Sequence, residues 1–569
     1  MVKLKSKRLK QGFRDMKMKP KTYFRLIIIS IVVFGLVVPT IMSDYIIPEY
    51  LDKIMDPSYT VLLYALPIFA IFAIGMLPII ASSTSKMRAE RNMPLFLTEL
   101  AALSTSEMPI DKIFYVMSQK VEYGQLAEDS KRIYRLIKFY HVAAGDACRF
   151  VAARTPSPME ADFFSRLSHS MEVGENLARF MKNEHEVIMD EYTLKADSSL
   201  KDLDFVKELF TGIVTSLIFA CVFISIIPLL GLGNVDDLLV GIVMGFVVME
   251  GMFVYFIMTK VPKDDIWYGW RQKKKDRLLK DGDRILMMSV VISVIGVGLL
   301  SFLLIPLQLP ITLYASSVCL PFLIPGILIT REEKNIIKRD NIYSAFIRSL
   351  GRASSVSGQT MGEGVRKLAM HKFGPLTNMV KNLSKRLALN ISTVDAWKHF
   401  SAESSSNMIR KFNNVYTQCV LSGAKADETS LFISTNMFKI MAIRKKRQVV
   451  ASSYLGVLYG VMIALAFTLY ITIGISQYMA TSIQGLSLNT ADLGGVGFLN
   501  TLFNSHFDVG PLTLMVFSVI FIHAFFSSLM LPLLRGGHLA GAAIHFIALL
   551  WIGSVSAFIV ELMLKGLLN

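Results

Sequence analysis

The chain is poor in the residues that do chemistry. Its four cysteines, Cys148, Cys221, Cys319 and Cys419, lie far apart with no CxxC among them, which excludes a disulfide framework and a zinc ribbon. None of the nine histidines pairs at metal-ligand spacing, and no HExxH occurs. There is no G-x-x-x-x-G-K-[ST], so no loop of backbone amides is built to hold nucleotide phosphates. The glycine-rich run Gly358-Gln359-Thr360-Met361-Gly362-Glu363-Gly364 lacks the lysine and reads as a turn. Charge is scarce too, at 18% of 569 residues, against about 25% in a soluble protein. Apolar residues take that share: 53% belong to AVILMFWYC and the mean hydropathy is +0.48. A soluble enzyme is excluded. The expectation is an all-α polytopic membrane protein with no catalytic residue, cofactor or metal, driven by a partner.

A helix needs about 20 apolar residues to cross a bilayer. Nine stretches qualify, near 25–43, 59–81, 209–232, 237–258, 285–305, 309–330, 451–476, 511–534 and 539–563. The first is too long for a signal peptide and lacks a small-residue cleavage site. Residues 1–25 hold ten Lys/Arg against Asp15 alone, which places the N-terminus in the cytoplasm. Alternation through nine spans then leaves only Lys53 and Lys565 outside, with 58 of the 60 basic residues inside. The C-terminus falls outside the cell.

The resulting domains are a basic arm (1–24), spans one and two (25–81), a cytoplasmic helical domain (82–208), spans three and four (209–258), a basic loop (259–284), spans five and six (285–330), a second helical domain (331–450) and spans seven to nine (451–569). The two helical domains look like copies. An offset of 249 pairs Asp146-Ala147 with Asp395-Ala396, Arg149 with Lys398, Met159 with Met408, Phe163 with Phe412 and Gly174 with Gly423; an offset of 250 pairs Phe96 with Phe346 and Leu100 with Leu350. Gly174 and Gly423 each stand between helical stretches, where a left-handed cap wants glycine. The four phenylalanines are expected in the cores.

The run Met93-Pro94-Leu95-Phe96-Leu97-Thr98-Glu99-Leu100, followed by Ser106-Glu107-Met108-Pro109-Ile110 and closed by Phe163 through Gly174 to Leu177, resembles the type II secretion F-protein domain. Tyr343 to Gly364 and Phe412 to Gly423 resemble it more loosely. Two such domains among nine spans resemble the archaeal FlaJ family of archaellum platform proteins and its TadC-like pilus relatives. The resemblance implies a non-enzymatic membrane platform that gathers pilin- or archaellin-like subunits, is driven by a cytoplasmic hexameric ATPase, and works as a homodimer.

Charge suggests where a partner docks. The first domain has 17 basic and 20 acidic residues over 82–208, net −3; the second has 21 and 8 over 331–448, net +13; the loop 259–284 is +4 and contains Arg271-Gln272-Lys273-Lys274-Lys275. Complementary patches fix register and raise association rates. Candidate ATPase contacts are Arg348, Arg352, Arg366 and Lys367 in the second domain, with Arg444, Lys445, Lys446 and Arg447 before span seven. Those last four stand equally where cations touch anionic lipid head groups. Nucleic acid is not expected as a partner, because no aromatics interleave with the N-terminal lysines. Inside the bilayer, Glu250 is the one carboxylate deep in a span, and His523 and His545 lie near mid-membrane as partners for each other. Such groups are costly and mark a docking groove or a polar helix contact. Gly241-x-x-x-Gly245 and Gly456-x-x-x-Gly460 offer faces for close helix crossing. A transporter is the competing reading. It would call for a Gly/Pro break at mid-membrane, whereas Pro306 and Pro310 fall in a loop and Pro228 and Pro325 near span ends. A pilin-precursor peptidase would need paired aspartates at the membrane edge, which the spans lack.

Overall fold

The computed structural model describes residues 90–155, 157–226, 236–261, 264–269, 281–307, 310–356, 361–485 and 510–568. The basic arm, spans one and two, and the Arg271–Lys275 run lie outside them. Everything described is helix, 3-10 turn or loop, apart from one isolated bridge between Trp267 and Ser406.

The first compact unit is a bundle of α1 (90–104), α2 (Ile110–Ser118), α3 (Gln125–Tyr140), α4 (Ala144–Ala152), α5 (Pro158–Val173) and the start of α6 (Leu177–Ile226). Phe96, Leu97, Leu100 and Leu103 fall on one face of α1 at helical spacing, and all are buried, as are Phe163, Phe164 and Leu167 of α5. Ser157 caps α5 by accepting the Glu160 N–H, and Gly174 ends it at φ 75°.

The second unit starts with α7 (Asp236–Lys260), α8 (Asp281–Leu304) and α9 (Ile311–Val318). Its helical domain comprises α10 (Leu323–Val356), α11 (Met361–Leu368), α12 (Thr377–Ala388), α13 (Thr393–Ser404), α14 (Asn407–Leu421) and the first half of α15 (Ala426–Gly485); α16 (Gly510–Arg535) and α17 (Ala542–Leu568) close the chain. Helices α13, α14 and α15 each begin 249 residues after α4, α5 and α6. Ser406 caps α14 as Ser157 caps α5, and Gly423 has φ 88°. Phe346 and Phe412 are buried like their counterparts. The offset read from scattered identities is thus also an offset of caps, turns and helix starts.

Among the described residues, seven helices are long and apolar enough to cross a membrane, and they match spans three to nine. Where α6 and α15 pack together, Lys439 pairs with Asp190 at 2.5 Å and Lys446 with Asp197 at 2.5 Å, both across 249 residues. Residues at equivalent positions of two copies touch when the helices run parallel and in register about a twofold axis. The pairs also sit seven residues apart, the repeat of two wrapped helices. Tyr454 donates to the Leu203 carbonyl at 2.6 Å just below them.

Span six departs from expectation. It is interrupted by a 3-10 turn at Leu320–Phe322, because Pro321 supplies no N–H and ends the α-helical ladder. Ser293 of α8 donates to the Pro321 carbonyl at 2.8 Å, and a Cβ on Gly296 would lie 3.1 Å from the Pro321 ring. Gly296 therefore serves close packing. A Cβ on Gly241, Gly245, Gly456 or Gly460 would meet nothing within 4 Å, so those pairs make no close crossing among the described residues.

Candidate functional site

Four segments meet at the base of the second domain. The stretch after α7 lies along the α13–α14 turn: Asn407 N–H donates to Ile266 O at 3.0 Å and Tyr268 N–H to Ser405 O at 2.8 Å. Beside it, Arg444 of α15 grips both carboxylate oxygens of Asp264 and donates to Asp340 of α10 at 2.6 Å. Ser406 donates to the other Asp340 oxygen at 2.5 Å. One turn on, Arg447 donates to the carbonyls of Leu533 and Leu534 at the end of α16. Glu333 of α10 accepts from Trp267 Nε1 at 2.9 Å and from the His538 backbone N–H at 2.6 Å. Gly536 is required here: it has φ +74°, and a Cβ would sit 2.8 Å from Arg447.

Electrostatics explain why the arrangement holds. Burial, the largest single influence, raises the Asp264 carboxyl, but the charge and hydrogen bonds of Arg444 together with the charges of Arg447 and Lys411 outweigh it and set the group at about 2. Asp340 is more deeply enclosed, and there burial wins, pushing it up to about 6 despite Arg444 and Ser406. Burial would lower Arg444, yet the two aspartates hold it above the ordinary guanidinium value. Burial brings Arg447 down to about 10, so it remains a cation at neutral pH. The hub joins α7, α10, α15 and the α16–α17 turn through charge-assisted bonds, which are about twice as strong as neutral ones.

Arg444 and Arg447, expected as surface contacts, are only 6% and 4% exposed, and their guanidinium groups are committed within the chain. Lys446 is tied to Asp197, while Lys445 stays exposed. Arg348, Arg352, Arg366 and Lys367 are all exposed, on α10 and α11. In the membrane core His523 Nδ1 lies 2.6 Å from Glu250 Oε1, both side chains fully buried. His545 instead lies 3.0 Å from Tyr459 OH, so the two histidines are not each other's partners: they sit on different helices facing different neighbours. Sequence reading missed Asp264, Glu333 and Asp340. The one available signal was Asp264-Asp265, an acidic pair opening a loop that is otherwise basic.

The first unit holds a separate buried pair. Asp129 and Glu160 are fully enclosed, and burial together with the Asp129 charge pushes Glu160 up to about 8. Glu160 is therefore protonated at neutral pH. A folded-state value raised from 4.5 gives stability that is present at low pH and lost as pH rises towards about 8. Thermal unfolding of this domain should weaken steadily from pH 5 to 9, and Glu160→Gln should flatten that slope. An unchanged slope in the variant would acquit Glu160.

Comparison with known proteins accords with this architecture. Residues 96–225 match the type II secretion system (T2SS), protein F family. The flagella accessory protein J of Methanococcus voltae is 28% identical over 97% of this chain and 97% of its own. That of Methanocaldococcus jannaschii is 29% identical over 88% of this chain and 89% of its own. The chain is thus similar to the flagella accessory protein J relatives over most of its length and to the type II secretion F-protein family over its first helical domain. An uncharacterised protein of M. jannaschii is 21% identical over 73% of both chains. No solved structure matches. The family match covers the first helical domain and the beginning of span three, the part whose motifs are plainest; the second domain follows it through the 249-residue offset.

Proposed function

We propose that this chain is the membrane platform of an archaellum-type filament machine and that it couples a cytoplasmic hexameric ATPase to filament assembly and rotation. The N-terminus and both helical domains lie in the cytoplasm. The exposed cations of α10 and α11 receive the ATPase, and Lys445 with the N-terminal arm meets anionic lipid. Pilin- or archaellin-like subunits are taken from the membrane by a homodimer of this chain. The observation that carries the coupling is the Arg444 hub, because a push on the second domain reaches α7 and the α16–α17 turn through buried ion pairs. Reversing Arg348, Arg352, Arg366 and Lys367 together should abolish co-purification of the ATPase while membrane insertion stays intact. Normal co-purification would remove these residues from the docking face.

The break at Leu320–Phe322 favours a second reading, a transporter. Against it, the serine hydroxyls of Ser293, Ser316 and Ser554 bond to backbone or to each other around the break, which is how a kinked span is repaired inside a helix bundle. Gene deletion scored by electron microscopy and a swimming assay separates the readings. Loss of swimming and of the thick filament is expected. Loss of thin pili alone would move the chain to an adhesion-pilus machine, and survival of every filament would leave the transporter.

A further inference from the structure

A strip of chain covers the α13–α14 turn, while the counterpart of that turn in the first domain lies open. Tyr268 packs on Ala402, which is 2% exposed, and Ile266 beside it is 5% exposed. At the offset of 249, Ala402 corresponds to Ala153, and Ala153 is exposed. Ser404 at the end of α13 is fully buried, whereas its counterpart Thr155 is only partly so. Phe150, one turn before Ala153, leaves 44% of its surface open. Two copies that share helix starts, caps and turns therefore differ here. One has a strip of chain along this turn; the other, among the described residues, has none.

The sequence holds a second strip of the same kind. Ile266-Trp267-Tyr268-Gly269-Trp270-Arg271 precedes span five, and Leu9-Lys10-Gln11-Gly12-Phe13-Arg14 precedes span one. Both run aliphatic-x-x-Gly-aromatic-Arg. Two expected spans lie between each strip and its domain, so strip and domain share a side of the membrane. Arg14 stands 82 residues before Phe96, and Arg271 stands 75 before Phe346. The longer loop between spans one and two, 44–58 against 306–308, more than covers the difference. Charge agrees with the pairing. The second domain, net +13, carries a strip opened by Asp264-Asp265, and the first, net −3, has one opened by Lys7-Arg8. Opposite charge of this kind selects which segment meets which domain. Two bonds do not carry over. Lys7 and Lys195 stand where Asp264 and Arg444 clasp each other, so the ion pair of the hub has no copy. Pro158 replaces Asn407 and offers no N–H to the strip. Apolar contact is left to do most of the holding.

We infer that residues 9–14, which lie outside the described residues, dock along the α4–α5 turn of the first domain, with Leu9 at the place of Ile266 and Gln11 over Ala153. The arm thereby clasps the first domain and leaves Lys17, Lys19 and Lys21 to the membrane surface. The test is limited trypsin digestion of the full chain in detergent, read by mass spectrometry. Cleavage after Lys10 and Arg14 should be about tenfold slower than after Lys3 and Lys5, the effect of burying one leucine side chain. Ala153→Arg blocks the turn from an exposed position, so folding survives, as an unaltered melting curve will report, and both sites should open. Leu9→Ser changes no residue of the folded domain and should open them too. Equal cleavage at all four sites in the wild-type chain would overturn the docking. So would protection that persists in both variants. Protection found only after reconstitution into phosphatidylglycerol vesicles would lay residues 9–14 on lipid and overturn it as well.

Discussion

Replacing Arg444 with methionine is expected to destabilise the second domain by about 3–5 kcal/mol, the cost of leaving one side of a buried ion pair without its partner. Arg444 touches Asp340 at 2.6 Å while also clasping Asp264, so its loss strands two carboxylates at once. Asp340, already up at about 6, would take a proton to escape, and Asp264 would let the stretch at 264–268 leave the α13–α14 turn. Two measurements check this. Thermal unfolding gives the loss of stability, and limited proteolysis between residues 261 and 269 reports release of the segment. Adding Asp340→Asn to the methionine variant should recover part of the loss, since it removes a stranded charge. A drop below about 1 kcal/mol, the size of an exposed pair, would mean that the backbone bonds of Ile266 and Tyr268 hold the segment unaided.

The outline of this architecture was open to reading because its signals are long and redundant. A membrane span needs about 20 apolar residues in a row, and spans three to nine have them, so each recurs as helical structure at the expected place, span six with a break. The repeat was legible from identities such as Gly174 with Gly423, because a left-handed cap favours glycine at both positions. The break in span six was not legible: Pro325 was noticed near the span end, while Pro321, four residues earlier, sits deep enough to end the helix.

The hub was illegible for a different reason. Arg444-Lys445-Lys446-Arg447 reads as one basic cluster, but on a helix these four side chains point in four directions, about 100° apart. Arg444 and Arg447 share a face, three residues apart, and that face is turned to Asp264 and to α16. Lys445 and Lys446 are turned outward. Charge composition cannot separate the two faces; only the partners on α10 and on the segment after α7 can, and they lie 104 and 180 residues away in sequence.

The second large effect is expected in the membrane core. Glu250 on α7 and His523 on α16 lie 2.6 Å apart with no exposed surface, and Phe210 stacks on the imidazole at 6.2 Å. Glu250→Leu removes that bond and leaves a buried imidazole with no carboxylate, at an expected cost of about 3 kcal/mol, within the range for breaking a buried pair. Glu250→Gln keeps a hydrogen-bonding side chain of the same length, so it should lose about 1 kcal/mol and still assemble filaments. The informative protein is Glu250→Leu/His523→Leu. With both polar groups gone there is nothing left unsatisfied, and apolar replacement of a buried pair is often neutral or stabilising. If the pair serves only to hold α7 in register with α16, the double variant should recover the stability lost by the single one and should assemble filaments. A double variant that is stable, reaches the membrane and yet assembles none would show that the pair takes part in the working cycle, where the α7–α16 contact has to change.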